Sequence, residues 1–121
     1  MNLDRFSFAR GFTAAAEIFD RHFPGASLHL LRPFLLVGDA PGCTQTDLAR
    51  IADVPLATIN RHVLALGDTP YRRADTGEVM DGLGLVTLRD DPLDRRRRPL
   101  FLTAKGKRLY AEIMSVVGKD E

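Results

Sequence analysis

The chain has a single cysteine, Cys43, among 121 residues. A lone thiol cannot form an internal disulfide, and this usage fits a reducing cytoplasm. No apolar run approaches the ~20 residues that a membrane-spanning helix needs, so no membrane association is expected. The opening stretch MNLDRFSFAR has an early acid and no apolar core followed by a small-residue cleavage site, so no secretory signal is expected either. Formal net charge is only +1, and total charge therefore does not mark a nucleic-acid binder. His22, His29 and His62 lack ligand spacing with cysteine or carboxylates, which excludes an obvious metal site. There is no Ser/His/Asp arrangement, no carboxylate pair and no glycine-rich phosphate loop after a strand. Neither an enzyme nor a cofactor is expected. Internal repeats and low-complexity stretches are also missing.

What is present is an ordinary globular composition, 45% hydrophobic and 27% charged, of a length that suits one domain spanning residues 1–121. Charge is unevenly placed. Residues 1–60 hold five Arg and six Asp/Glu, a balance of −1, whereas residues 95–108 hold Arg95, Arg96, Arg97, Arg98, Lys105, Lys107 and Arg108 with no acid. Such a cluster attracts phosphates even on a balanced molecule. A solvated basic loop is the plainer reading of the same residues.

Periodicity divides the chain. Phe8, Phe12, Ala15, Phe19 and Phe23 recur at helical spacing, predicting a helix over 4–24 that Pro24-Gly25 ends. Ser27 can cap a second, largely apolar helix, LHLLRPFLLVGD, in which Pro33 predicts a bend or a separate first turn. Thr44 and Asp47 have capping-box spacing, with Leu48, Ile51 and Ala52 as the buried stripe that follows. Val54-Pro55 breaks the chain before LATINRHVLALG, where Ile59, Val63 and Leu66 face inward. Two short helices so joined form a helix-turn-helix within 28–66. The second presents Ala57, Thr58, Asn60 and Arg61 near its start, residues suited to base edges, and places His62 toward phosphate or solvent. Residues 67–82 read as a loop with at most one short helical turn. LGLVTLRDD and RPLFLT are strand-like runs that make a hairpin over 83–103 with the arginines at its tip. Thr103 then caps a last helix over 104–117, with Leu109, Ile113 and Val116 on one face. The fold class is mainly α with a small β-hairpin. Cys43, with no resolving cysteine or flanking cation, reads as an inert small residue.

In this order the elements make a winged helix-turn-helix, and the residues resemble the MarR family of bacterial transcriptional regulators over about 28–110. TQTDLA is similar to that family's first motif helix, ATINR to its recognition helix, GLVTLRDDPLDRR to its wing, and LTAKG to the segment after it. The resemblance implies a homodimer that binds double-stranded DNA in a sequence-specific way, with room for a small-molecule effector that the sequence does not name. It implies that Asp94 orients Arg96, which enters the minor groove, while Arg95, Arg97 and Arg98 meet phosphates. It further puts Thr44, Gln45 and Arg89 among the DNA-contacting positions. A narrow minor groove independently rewards an inserted guanidinium, and strand alternation would let only two of the four arginines face DNA.

Two departures accompany the match. From Leu66 to Gly84 is 84 − 66 = 18 positions against about four in the family pattern, so about fourteen residues are inserted; those around Tyr71, Arg72 and Arg73 suit either a subunit contact or flanking DNA. After Thr103 come 121 − 103 = 18 residues, fewer than the family's helical arm. Dimerisation is therefore expected to use Phe8, Phe12 and Phe19, with Leu109 and Ile113 in a smaller share. A winged-helix protein-interaction module, or a phage- or plasmid-type accessory factor, is the alternative to a DNA-binding regulator.

Overall fold

A computed structural model describes residues 3–94 and 96–117. Among them run five helices, α1 (Leu3–His22), α2 (Leu28–Asp39), α3 (Gln45–Ala52), α4 (Leu56–Leu66) and α5 (Ala104–Val117), with two short antiparallel hairpins between α4 and α5. The first hairpin pairs β1 (Tyr71–Arg72) with β2 (Val79–Met80), and the second pairs β3 (Val86–Leu88) with β4 (Leu100–Leu102). The chain is mainly helical with a winged helix-turn-helix order, as its periodicity predicts.

One apolar core joins every layer. Phe19, Phe34, Leu48, Ile59, Leu66, Leu85, Leu100 and Ile113 are fully enclosed, so both motif helices and the second hairpin close on the same interior. Ser27 caps α2 by accepting from the His29 amide. α2 then runs as one helix through Pro33, which is buried; burial of the ring offsets the donor lost in its second turn. α1 and α5 lie side by side, tied by Arg21 and His22 to the Glu112 carboxylate at 2.6 and 2.9 Å. The side-chain bond from His22, then the charges of His22 and Arg21, hold the Glu112 carboxyl below its ordinary range.

Three residues expected at a subunit contact belong to this interior. Phe19 packs between Phe23 and Phe34, and Leu109 and Ile113 are buried where α5 meets the core. They are therefore unavailable to a partner subunit, because α5 lies along α1 within one protomer. Ile51 departs in the other direction, being 52% exposed while Leu48 and Ala52 are buried. Residues four apart share a helix face, and in a helix of two turns that face is set by Leu48 and Ala52. Residues 67–82 are also more ordered than a loop, forming the β1–β2 hairpin.

The start of α3 is closed by a complete capping box. Asp47 N–H donates to Thr44 Oγ1 at 3.2 Å, and Thr44 N–H donates to Asp47 Oδ2 at 2.9 Å. The amide and hydroxyl of Thr44, then Arg50 and Arg97, hold the Asp47 carboxyl below its ordinary value of 3.8. A depressed carboxyl contributes stability above its unfolded pKa and loses it as pH falls through the folded one. The stability gap between wild type and Asp47→Asn should accordingly close on acidification from about pH 5 to about pH 3, as read from urea midpoints; a gap that stays constant would remove the charge from the cap. By the same measurement, Leu48→Ala should cost about 2–5 kcal/mol and Ile51→Ala less than about 0.5 kcal/mol.

Candidate nucleic-acid interface

Asp53 ends α3 in the left-handed region at φ 54°, a conformation open to a short polar side chain. This reverses the chain in three residues, and Pro55 stands at the start of α4. Ile59, Val63 and Leu66 fix α4 to the core, leaving Ala57, Asn60, Arg61 and Leu64 on one exposed face. Thr58 is half-buried, and its hydroxyl accepts from Arg61 Nη2 at 3.4 Å. His62 does not join that face. Its ring stacks on His29 of α2, with centroids 6.2 Å apart. Burial, then the His29 ring and Arg61, push its pKa down from 6.5, which leaves it neutral near pH 7.

The wing is indexed to these helices by main-chain bonds. Gly42 N–H donates to the Leu100 carbonyl and Leu100 N–H to the Cys43 carbonyl, both at 2.8 Å. In the β3–β4 ladder Val86 faces Leu102, Thr87 faces Phe101 and Leu88 faces Leu100. Arg89 continues it, donating its N–H to the Pro99 carbonyl, and lays its guanidinium 4.2 Å from the Phe101 ring centre. Beyond Arg89 regular pairing stops. Arg96, Arg97 and Arg98 consequently lie outside the ladder, and the two-face alternation expected of the run does not apply to them.

Aspartates shape that loop. Asp91 Oδ1 accepts from the Leu93 amide at 2.9 Å and Asp94 Oδ1 from the Arg96 amide at 3.0 Å, the side-chain turns that Asp favours. Asp94 thus orients Arg96 through the main chain and not through its guanidinium. Arg97 Nη2 donates to the Gly42 carbonyl at 3.0 Å, pinning the tip to the loop before α3. Arg98 lies 3.7 Å from Asp90. The guanidinium of Arg96 has no such partner among the described residues. Arg95 lies outside them.

Arg96, Arg97, Arg98 and Asp94 line one open cleft of about 390 Å³ with Thr44, Gln45, Thr46 and Leu56. It joins the starts of both motif helices to the wing tip. Thr46 and Leu56 escaped the sequence reading, although each lies at the first turn of its helix. Gln45 Oε1 is enclosed and has no hydrogen-bond partner among the described residues. The C-terminal cations do not extend this surface. Lys105 Nζ donates to the Leu83 carbonyl at 3.0 Å and lies over Phe23, while Arg108 borders a depression with His22 and Glu112. Cys43 is buried, and burial, reinforced by Asp47, pushes its thiol up, consistent with an inert residue. No helix among the described residues is long and apolar enough to cross a membrane.

No family model and no curated protein matches the sequence. Solved structures do match the fold. The chain superposes on Streptococcus pneumoniae FabT in complex with DNA at TM-score 0.59 and 21% identity, covering 81% of this chain and 61% of FabT. It superposes on the repressor CouR, bound to a 23-mer DNA duplex, at 0.61 and 21%, covering 97% and 68%. Against wild-type MarR from E. coli the values are 0.59 and 16%, covering 98% and 76%. The chain thus spans less than two thirds of FabT and about three quarters of MarR. With its five helices, its turn at Asp53 and its pinned β3–β4 wing, this protein has the winged helix-turn-helix fold of the MarR-type transcriptional regulators.

Proposed function

We propose that this chain is a sequence-specific, double-stranded DNA-binding transcriptional regulator of MarR type that acts as a homodimer. The observation that carries the reading is the cleft in which the wing arginines meet the starts of α3 and α4, beside the exposed Ala57, Asn60 and Arg61. A helix face of short and hydrogen-bonding residues suits base edges in the major groove. Arg96, with no ionic partner among the described residues, suits the narrow minor groove beside it. Arg97 and Arg98, bonded to the protein's own carbonyl and carboxylate, supply phosphate contacts, which set affinity and register without reading sequence. Thr44 and Gln45 at the start of α3 and Arg89 over Phe101 act in the same backbone-contacting role.

The dimer reading rests on α1. Phe8 and Phe12 are 74% and 54% exposed and stack on each other with ring centres 6.3 Å apart. A second copy would cover them, and two-fold symmetry would present two recognition helices to major grooves about 34 Å apart. With Phe19, Leu109 and Ile113 enclosed, the contact falls to these two rings and their surroundings.

Binding should therefore weaken steeply as salt rises, since several phosphate contacts release counterions. On the preferred site Arg96→Ala should cost about 1–3 kcal/mol and more than Arg98→Ala. Asp94→Ala should also weaken binding, by freeing the Arg96 amide, although it removes a negative charge. Mobility shifts across a salt series check all three; tighter binding by Asp94→Ala would leave simple electrostatics as the rule. For the dimer, light scattering at micromolar concentration should give a mass near twice 13.4 kDa for wild type. Phe12→Asp should return it to the single-chain mass while the protein stays folded by circular dichroism. A wild-type mass of one chain would exclude the dimer.

A further inference from the structure

The segment between α4 and β3 makes a closed excursion. Leu83 N–H donates to the Ala65 carbonyl at 2.8 Å, and Leu85 N–H and Gly84 N–H donate to the carbonyls of Leu66 and Gly67 at 2.9 Å. Gly82 lies so close to the Gly67 backbone that a Cβ there would collide with the carbonyl, so only glycine allows the two strands of chain to meet. The hairpin that stands on this base has Tyr71 opposite Met80 and Arg72 opposite Val79. It stands beside the exposed face of α4 that carries Arg61 and Leu64. Between them lies an open cleft of about 490 Å³, lined by Arg61 and Leu64 of α4 and by Tyr71, Arg72, Asp75 and Met80 of the hairpin.

Charge within the cleft is distributed unequally. Arg73 clamps Asp75 through two bonds of 3.0 and 2.8 Å, and this side-chain pairing raises the pKa of Arg73 and lowers that of Asp75. The pair cancels its own charge. Arg72 donates from Nη1 to the Gly77 carbonyl at 2.8 Å, and Arg61 to the Thr58 hydroxyl. Neither faces a carboxylate partner among the described residues, so both keep a full positive charge and free donors. The other acids of the segment, Asp68, Glu78 and Asp81, are exposed and line no part of the cleft. The apolar floor of Leu64, Tyr71 and Met80 suits the sugar edge of a nucleic-acid strand.

We propose that the β1–β2 hairpin is a second wing, which takes a DNA strand into its cleft with α4 and holds the strand's phosphates at Arg72. The proposal rests on DNA being the ligand of this protein. It assigns the inserted residues to flanking DNA and not to a subunit contact. The duplex is then gripped on both sides of the recognition helix.

The test is fluorescence anisotropy of wild type and variants with two duplexes, one from upstream of the protein's own coding sequence and one unrelated, across a salt series. Arg72→Ala should weaken both by about five- to tenfold near physiological salt and reduce the slope of log affinity against log salt by about one. Arg72→Lys should keep the wild-type slope, and Glu78→Gln should leave both affinities within about twofold. An Arg72→Ala protein with the wild-type slope overturns the second wing. So does an Arg72→Lys protein as weak as Arg72→Ala, because the bond to Gly77 and not the charge would then matter. A loss confined to one duplex also overturns it. A wild-type protein that binds neither duplex removes the DNA-binding reading and the second wing together; wild-type binding with an unaffected Arg72→Ala removes the second wing alone.

Discussion

Two main-chain hydrogen bonds, from Gly42 to the Leu100 carbonyl and from Leu100 to the Cys43 carbonyl, lock the wing to the loop before α3. A two-stranded hairpin alone is marginal in water; these bonds add to the burial of Val86, Leu100 and Leu102 in the core and fix where the hairpin stands. With them, the strand that carries the basic tip shares a backbone frame with the cap of the first motif helix. Arg97 adds a third tie to the same loop through the Gly42 carbonyl. The site is therefore built from main-chain geometry, and the distance between wing tip and recognition helix does not depend on any single surface side chain.

That frame explains how a chain of net charge +1 can still present a strongly basic face. Acids are not kept away from the arginines; they are used up locally. Asp91 and Asp94 accept from backbone amides of the wing tip, and Asp75 is clamped by Arg73. Asp91 and Asp94 each shape a turn, the Arg73–Asp75 pair is self-contained, and the Arg96 guanidinium has no partner among the described residues. At the other end of the arginine- and lysine-rich stretch, Lys105 is turned to the Leu83 carbonyl, so what looks like one cluster in sequence divides into a projecting part and a structural part.

Much of this is legible in the sequence. The Thr44–Asp47 spacing, the Ile59–Val63–Leu66 stripe, the strand-like runs on either side of the arginines and the cap at Thr103 each follow from a local rule with a short reach. Thr103 Oγ1, for instance, accepts from the Gly106 amide. What was hidden depends on which neighbour an element meets. Phe19 and Phe12 share a helical stripe, but Phe19 is enclosed against Phe34 while Phe12 stays half-exposed at the rim of a cleft beside α2, and nothing in the spacing separates them. Ile51 fits a buried pattern until the third dimension puts Leu48 and Ala52 inward. The β1–β2 hairpin has strands of two residues, too short for alternation to appear. The resemblance pairs Asp94 with Arg96, yet that its carboxylate meets the Arg96 amide is a matter of turn geometry that a spacing of two cannot express.

The pinched base at Gly67 and Gly82 has a further consequence for cooperativity. An excursion whose entry and exit are hydrogen-bonded neighbours transmits little to the core when it opens, because the contacts that define the core begin only beyond that neck. A hairpin on such a neck has the few core contacts expected of a segment that opens locally. It can melt at a free energy well below that of global unfolding, and amide exchange within it can be fast while α4, a few residues away, stays protected.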